Sequence, residues 1–209
     1  MSRKLFDISP RIDGALQVFP GDTPPVREVR LDLQKGDAVT LSTLHATVHL
    51  GAHLDAPSHY GRDGRTIDAL ALAVGLGPCQ VVRVAVERGG CLAPERIDAE
   101  IRTPRVLFAT GTFPDPTRWN DDFAAVAPEC IDWLADQGVR LVGIDTPSID
   151  PAASKALPAH RRALARDLAI LEGIVLTDVP AGAYELIALP LRLVGFDASP
   201  VRAVLRELG

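Results

Sequence analysis

His49-Leu50-Gly51-Ala52-His53-Leu54-Asp55-Ala56-Pro57-Ser58-His59 brings together three of the chain's five histidines and an aspartate. Glycine at 51 and proline at 57 oppose a long helix, so the segment reads as extended backbone. Alternate side chains of an extended segment share a face, which points His49, His53 and Asp55 the same way with side-chain-free Gly51 between the imidazoles. Two imidazoles and a carboxylate offer borderline nitrogen and hard oxygen donors, a set that suits zinc, or manganese or iron, better than calcium. His59 follows beyond the proline. His45 shares the parity of the ligand set, but Thr47 intervenes, and it is read as packing.

The block is not an H-E-x-x-H helix, because Leu50 stands where the catalytic glutamate belongs. No G-x-S-x-G elbow occurs either, and Asp145-Thr146-Pro147-Ser148 does not supply one. A metal-dependent hydrolase therefore fits better than a thermolysin-type protease or a serine acyl-transfer enzyme.

Working outward, many short apolar or alternating segments are punctuated by seventeen glycines and seventeen prolines. Leu5 to Ser9, Val26 to Asp32, Thr40 to Val48, Gln80 to Val86, Val106 to Ala109, Leu141 to Ile144, Ile174 to Thr177 and Tyr184 to Leu189 read as strands. Pro94 to Ile101, Pro128 to Gln137 and Leu157 to Leu171 read as helices, the first two with proline just inside the start. Val201 to Leu208 is helix or edge strand. The middle third thus alternates strand and helix, which predicts an α/β core with parallel strands, and the strand-rich outer thirds add antiparallel sheet.

With 209 residues and 47% hydrophobic content, one core and one domain over residues 1–209 are expected. The formal charge is −5 without a basic run, which excludes nucleic acid and anionic membrane as expected partners; Arg161, Arg162 and Arg166 read as a solvated helix face. Cys79, Cys91 and Cys130 form no CxxC pair and read as buried small hydrophobes. Met1-Ser2-Arg3-Lys4 runs directly into Leu5-Phe6-Asp7, with no secretory apolar stretch, and the run Ala69 to Val82 is broken by Gly75, Gly77 and Pro78. A cytoplasmic protein is expected.

Four stretches together carry a family resemblance: Val18-Phe19-Pro20-Gly21-Asp22-Thr23-Pro24, the histidine block, Gly143-Ile144-Asp145-Thr146-Pro147-Ser148, and Asp197-Ala198-Ser199-Pro200-Val201-Arg202. Across nearly its whole length the chain resembles the bacterial kynurenine formamidases (arylformamidases), a branch of the cyclase-like metal-dependent hydrolases. The resemblance implies a single domain of mixed sheet with flanking helices, of the swivelling β/β/α type. It implies a homodimer that takes a small-molecule substrate, N-formyl-L-kynurenine, and releases L-kynurenine and formate in tryptophan degradation.

The same resemblance implies two zinc ions per subunit, with manganese or another divalent metal as substitute. His49, His53 and Asp55 would hold one, and Asp55 would bridge to a second held by His160 and Glu172. A carboxylate can span ions about 3.5 to 4 Å apart. On one straight helix His160 and Glu172 would lie about 120° apart, so the helix must end between them. The resemblance makes His59 the catalytic acid/base, against the alternative of a further ligand. It also makes Phe19 the substrate-binding aromatic, at a position where relatives usually carry tryptophan. Asp145 reads as a partner of a ligand histidine or as a turn cap, and Asp197 to Arg202 as a tight turn without catalytic part. Two rivals remain: a cyclic amide or imide hydrolase of the isatin hydrolase kind, and a metal-binding protein without turnover.

Overall fold

The computed structural model describes residues 3–208. In chain order its strands are β1 (Leu5–Asp7), β2 (Val26–Leu31), β3 (Leu41–His45), β4 (His53–Asp55), β5 (Leu76–Arg83), β6 (Cys91–Leu92), β7 (Arg105–Ala109), β8 (Ala125–Val126), β9 (Leu141–Ile144), β10 (Ala169–Glu172), β11 (Gly182–Ile187), β12 (Ala198–Pro200) and β13 (Val204–Glu207). The helices are α1 (Pro128–Asp136) and α2 (Pro158–Ala165). One mixed sheet has the order β1-β13-β11-β5-β7-β9-β10-β4-β12. Its middle, β5 to β10, is parallel. Both flanks pair antiparallel. This is the mixed α/β sheet with few helices that the strand and helix pattern implies.

The parallel strands are apolar on both faces, as strands covered on both sides must be. In β9 Leu141 enters one core and Val142 and Ile144 the other. The second core is closed by α1 and α2, through Cys130, Ile131 and Leu134 of the first and Ala159 and Ala163 of the second. Arg162 bridges to Asp132 and Arg166 to Asp136, so the arginine face of α2 is paired with α1 and not merely solvated. The first core gathers Leu54 of β4, Leu107 of β7 and Leu205 of β13, which lie far apart in the strand order, and the sheet curls around them. Among the described residues no helix is long and apolar enough to cross a membrane.

Several expectations need correction. Pro94 to Ile101 makes only a 3₁₀ turn, Pro94–Arg96. Beyond it Ile97, Ala99 and Ile101 pack on the second core at a spacing of two, a strand-like pattern that the proline and the charges obscure. Leu157 to Leu171 is helical only as far as Ala165; the chain then turns at Asp167, in left-handed backbone with φ 49°, and enters β10. Ile174 to Thr177 is no strand, because the carbonyls of Leu176 and Thr177 are taken by the Arg83 guanidinium instead of a neighbouring strand. Val204–Glu207 is not an edge, since it lies between β1 and β11. Cys79 and Cys130 are buried but Cys91 is exposed.

Gly173, in left-handed backbone with φ 66°, lets the end of β10 approach the histidine block: a Cβ there would lie 2.2 Å from the Gly51 carbonyl oxygen. Replacing Gly173 with alanine should cost at least about 1–2 kcal/mol for the backbone conformation, before the clash is counted. The expected fall in the thermal midpoint of unfolding is about 4 °C or more. An unchanged midpoint would contradict this close approach.

Candidate metal and catalytic site

Only the second half of the histidine block is a strand. Gly51 bends the chain with φ 58°, and β4 then runs with His53 and Asp55 on one face and Leu54 on the other, in the core. In the antiparallel register with β10, Glu172 lies directly opposite His53 and Leu171 opposite Leu54. Directly opposed residues share a face, so the sheet itself delivers Glu172 to the histidine. Asp150 accepts from the backbone N–H groups of Ala159 and His160 at the start of α2, which fixes the position of His160.

Asp55 is the centre of this arrangement. It is 1% exposed, and among the described residues neither of its oxygens has a hydrogen-bond partner. His49 Nδ1 stands 3.1 Å and His53 Nε2 3.5 Å from Oδ1, while His160 Nε2 stands 3.3 Å from Oδ2. These nitrogens are close but misaligned for hydrogen bonds. Glu172 completes the ring, with Oε2 3.4 Å from His53 and Oε1 3.4 Å from His160. Each Asp55 oxygen therefore faces its own donor set. A buried carboxylate without hydrogen bonds is costly unless paired or bound to a cation, so the residues present fit a divalent ion on chemical grounds.

The ring tautomers follow from what each outer nitrogen meets. A carbonyl only accepts, so His53 donates from Nδ1 to the Gly51 oxygen at 2.9 Å and leaves Nε2 bare toward Asp55 and Glu172. His160 donates from Nδ1 to Asp150 at 2.8 Å and likewise presents Nε2 inward. Burial disfavours charge on His49, but Asp55 and Asp197 outweigh it and hold the pKa at about 9. Burial opposes charge on His160 as well, yet Asp150, Asp55 and Glu172 raise its pKa well above the ordinary value. Burial works against ionisation of Asp55 too, and the neighbouring imidazoles nevertheless hold its pKa well below the usual range. A divalent cation competes with protons for these lone pairs.

The cluster sits at the floor of a cavity of about 660 Å³. The carboxyl ends of the parallel strands contribute Arg83, Ala109, Gly111, Asp145, Ser148 and Gly173 to its lining, which is where α/β sheets place ligands. Phe19 lines it with Phe113 and Trp119; the Phe19 and Trp119 rings meet edge-on, 5.2 Å apart. His59 also lines it, its ring 4.2 Å from that of His49. Asp145 is a turn cap: it accepts from the backbone of Thr110 and Gly111, with its pKa raised by burial. His45 lies outside the cavity, exposed on β3 and 3.0 Å from Glu28, so it neither packs in the core nor joins the cluster. Asp150, which sequence reasoning passed over, reaches His160 from 10 residues away, and Asp197, read in sequence only as the start of a tight turn, reaches His49 from 148 residues away.

Comparison with known proteins agrees with this architecture. The Cyclase family profile matches residues 6–151. The kynurenine formamidase of Bordetella petrii is 48% identical over 209 residues, covering 99% of this chain and 100% of that protein. A solved structure described as a potential metal-dependent hydrolase with cyclase activity superposes with TM-score 0.85 at 29% identity, covering 100% of both chains. Isatin hydrolase A from Labrenzia aggregata, bound to benzyl benzoate, superposes with TM-score 0.83 at 23% identity over 98% of this chain and 93% of its own, a likeness of fold alone.

Replacing Asp55 with alanine should remove both halves of the donor set at once. Metal analysis after dialysis against zinc is expected to find no bound ion where the parent chain retains it, because one Asp55 oxygen faces His49 and His53 and the other faces His160. Full retention by the variant would show that Asp55 does not hold the metal.

Proposed function

This chain belongs to the Cyclase family, in the branch of the kynurenine formamidases, and we propose that it hydrolyses N-formyl-L-kynurenine to L-kynurenine and formate in tryptophan breakdown. The observation that carries the reading is the buried Asp55 carboxylate, each oxygen turned to a separate donor set. We assign His49, His53 and Asp55 to one zinc ion, and Asp55, His160 and Glu172 to a second, with manganese or another divalent ion able to replace them. When bound, such an ion supplies a Lewis acid for the formyl oxygen and lowers the pKa of a coordinated water to about 7.

The chain's own residues supply the rest. His59, on the cavity wall beside His49, carries a proton to the arylamine nitrogen as the amide bond breaks. Phe19 seats the substrate's ring, and Trp119 against its edge restores apolar area that a lone phenylalanine lacks. Among the described residues Arg83 is the one lysine or arginine on the cavity wall. It is pinned through Nη2 by the carbonyls of Leu176, Thr177 and Val179 and has no acidic partner among the described residues. A guanidinium fixed there suits the carboxylate of an amino-acid substrate and gives a neutral cyclic amide such as isatin nothing to match.

We infer a homodimer. The separate β2–β3 sheet exposes Val29, Leu31, Leu41 and Leu44, which a second copy would cover. A cytoplasmic setting agrees with three free cysteines.

Zinc-loaded protein is expected to deformylate N-formyl-L-kynurenine at least about tenfold faster than it opens isatin, by kcat/KM. The opposite order would overturn the substrate assignment. His59→Ala should lower the deformylation rate about 10²- to 10⁴-fold while zinc content stays unchanged. Stoichiometric loss of zinc would make His59 a ligand instead.

A further inference from the structure

Asp197 opens the stretch that reads in sequence as a tight turn, and the reaction above gives it no part. Its backbone is held beside the metal strand: its carbonyl accepts from the Ala56 N–H at 2.8 Å, and the next residue, Ala198, pairs with Asp55 across β12 and β4. From there its carboxylate lines the cavity, and one oxygen, Oδ2, lies 3.0 Å from His49 Nε2 and 3.3 Å from His59 Nδ1. The ion-ligand histidine and the proton-carrying histidine, their rings 4.2 Å apart, thus share a single acceptor atom.

A carboxylate oxygen accepts and cannot donate, so both nitrogens that face it carry hydrogen. In a neutral His49, the form that can hold an ion, this leaves the lone pair on Nδ1, and Nδ1 is the atom that faces Asp55 Oδ1 at 3.1 Å. In the neutral tautomer of His59 with hydrogen on Nδ1, Nε2 is the nitrogen that can accept a proton. The ring has a nitrogen within 4.8 Å of donor atoms of both Asp55 and His160. We propose that Asp197 is a positioning residue that sets the ring tautomer of both histidines, so that one carboxylate prepares His49 to hold an ion and His59 to take a proton. The proposal rests on the roles given to those two histidines above. Asparagine at 197 would be nearly the same size, but its amide nitrogen donates where the carboxylate accepts, which favours the wrong tautomer on at least one ring.

The experiment combines ¹⁵N resonances of the histidine rings in the zinc-loaded chain with zinc affinity by chelator competition and steady-state kinetics of Asp197→Asn and Asp197→Glu. In the parent chain His59 should show hydrogen on Nδ1 and a bare Nε2, and the Asp197→Asn protein should lose that preference. Zinc affinity should weaken about 10- to 100-fold in Asp197→Asn. At saturating zinc its kcat should fall about 10²- to 10⁴-fold with KM for N-formyl-L-kynurenine nearly unchanged, and Asp197→Glu should recover part of the loss. A bare Nδ1 on His59 in the parent chain would overturn the proposal. So would an Asp197→Asn protein with parental zinc affinity and kcat, or a zinc ion found bound to Asp197 itself. Ring tautomer and zinc affinity are read without turnover, so they decide the proposal even if N-formyl-L-kynurenine proves not to be the substrate.

Discussion

A carboxylate buried to 1% exposure with both oxygens free of hydrogen bonds is the constraint around which this molecule is arranged. Left alone, such a group costs several kcal/mol and would draw up water or a proton. Here three imidazoles turn toward it, and each has its outer nitrogen tied down by an acceptor, Asp197 for His49, Gly51 for His53 and Asp150 for His160. With the outer nitrogens fixed, the inner nitrogens are aimed at Asp55 and Glu172, which is how surrounding hydrogen bonds orient the rings of a metal site.

The fold delivers these groups from distant parts of the chain by three separate devices. Strand pairing sets Glu172 opposite His53. The Asp150 carboxylate, accepting from the first turn of α2, holds His160 on a helix that packs against the second core. Two glycines in left-handed backbone, Gly51 and Gly173, allow β4 and the end of β10 to meet without a side chain between them. The substrate's space is left by the curl of the sheet and the loops at the carboxyl ends of its parallel strands, walled by Phe19, Phe113 and Trp119. Sheet and helix thus place His53, Asp55, Glu172 and His160, while the loops supply the aromatic part of the cavity wall.

Much of this is legible in the sequence where the signal is local. Leu141 to Ile144 is a strand, and Pro128 to Gln137 is a helix to within a residue, because both combine a clean apolar pattern with proline or glycine at a boundary. His53 and Asp55 do share a face by strand parity, although His49 joins them through the bend at Gly51 and not through an unbroken strand. What could not be read locally depends on pairing. Glu172, Asp150 and Asp197 are ordinary acidic residues until register or capping brings them to a histidine, and here the family resemblance supplies only the first. The false helix at Pro94 and the missing strand at Ile174 share one cause: local composition does not say which partner takes a segment's backbone groups.

The central proposal is that Asp55 would help hold two cations. A crystal grown with zinc and measured on both sides of the zinc absorption edge tests it most directly. The account predicts two anomalous peaks about 3.5 to 4 Å apart, one against His49, His53 and Asp55 and the other against Asp55, His160 and Glu172. A map at saturating zinc with no peak at Asp55, or with a single peak bound to only one of its oxygens, would contradict it.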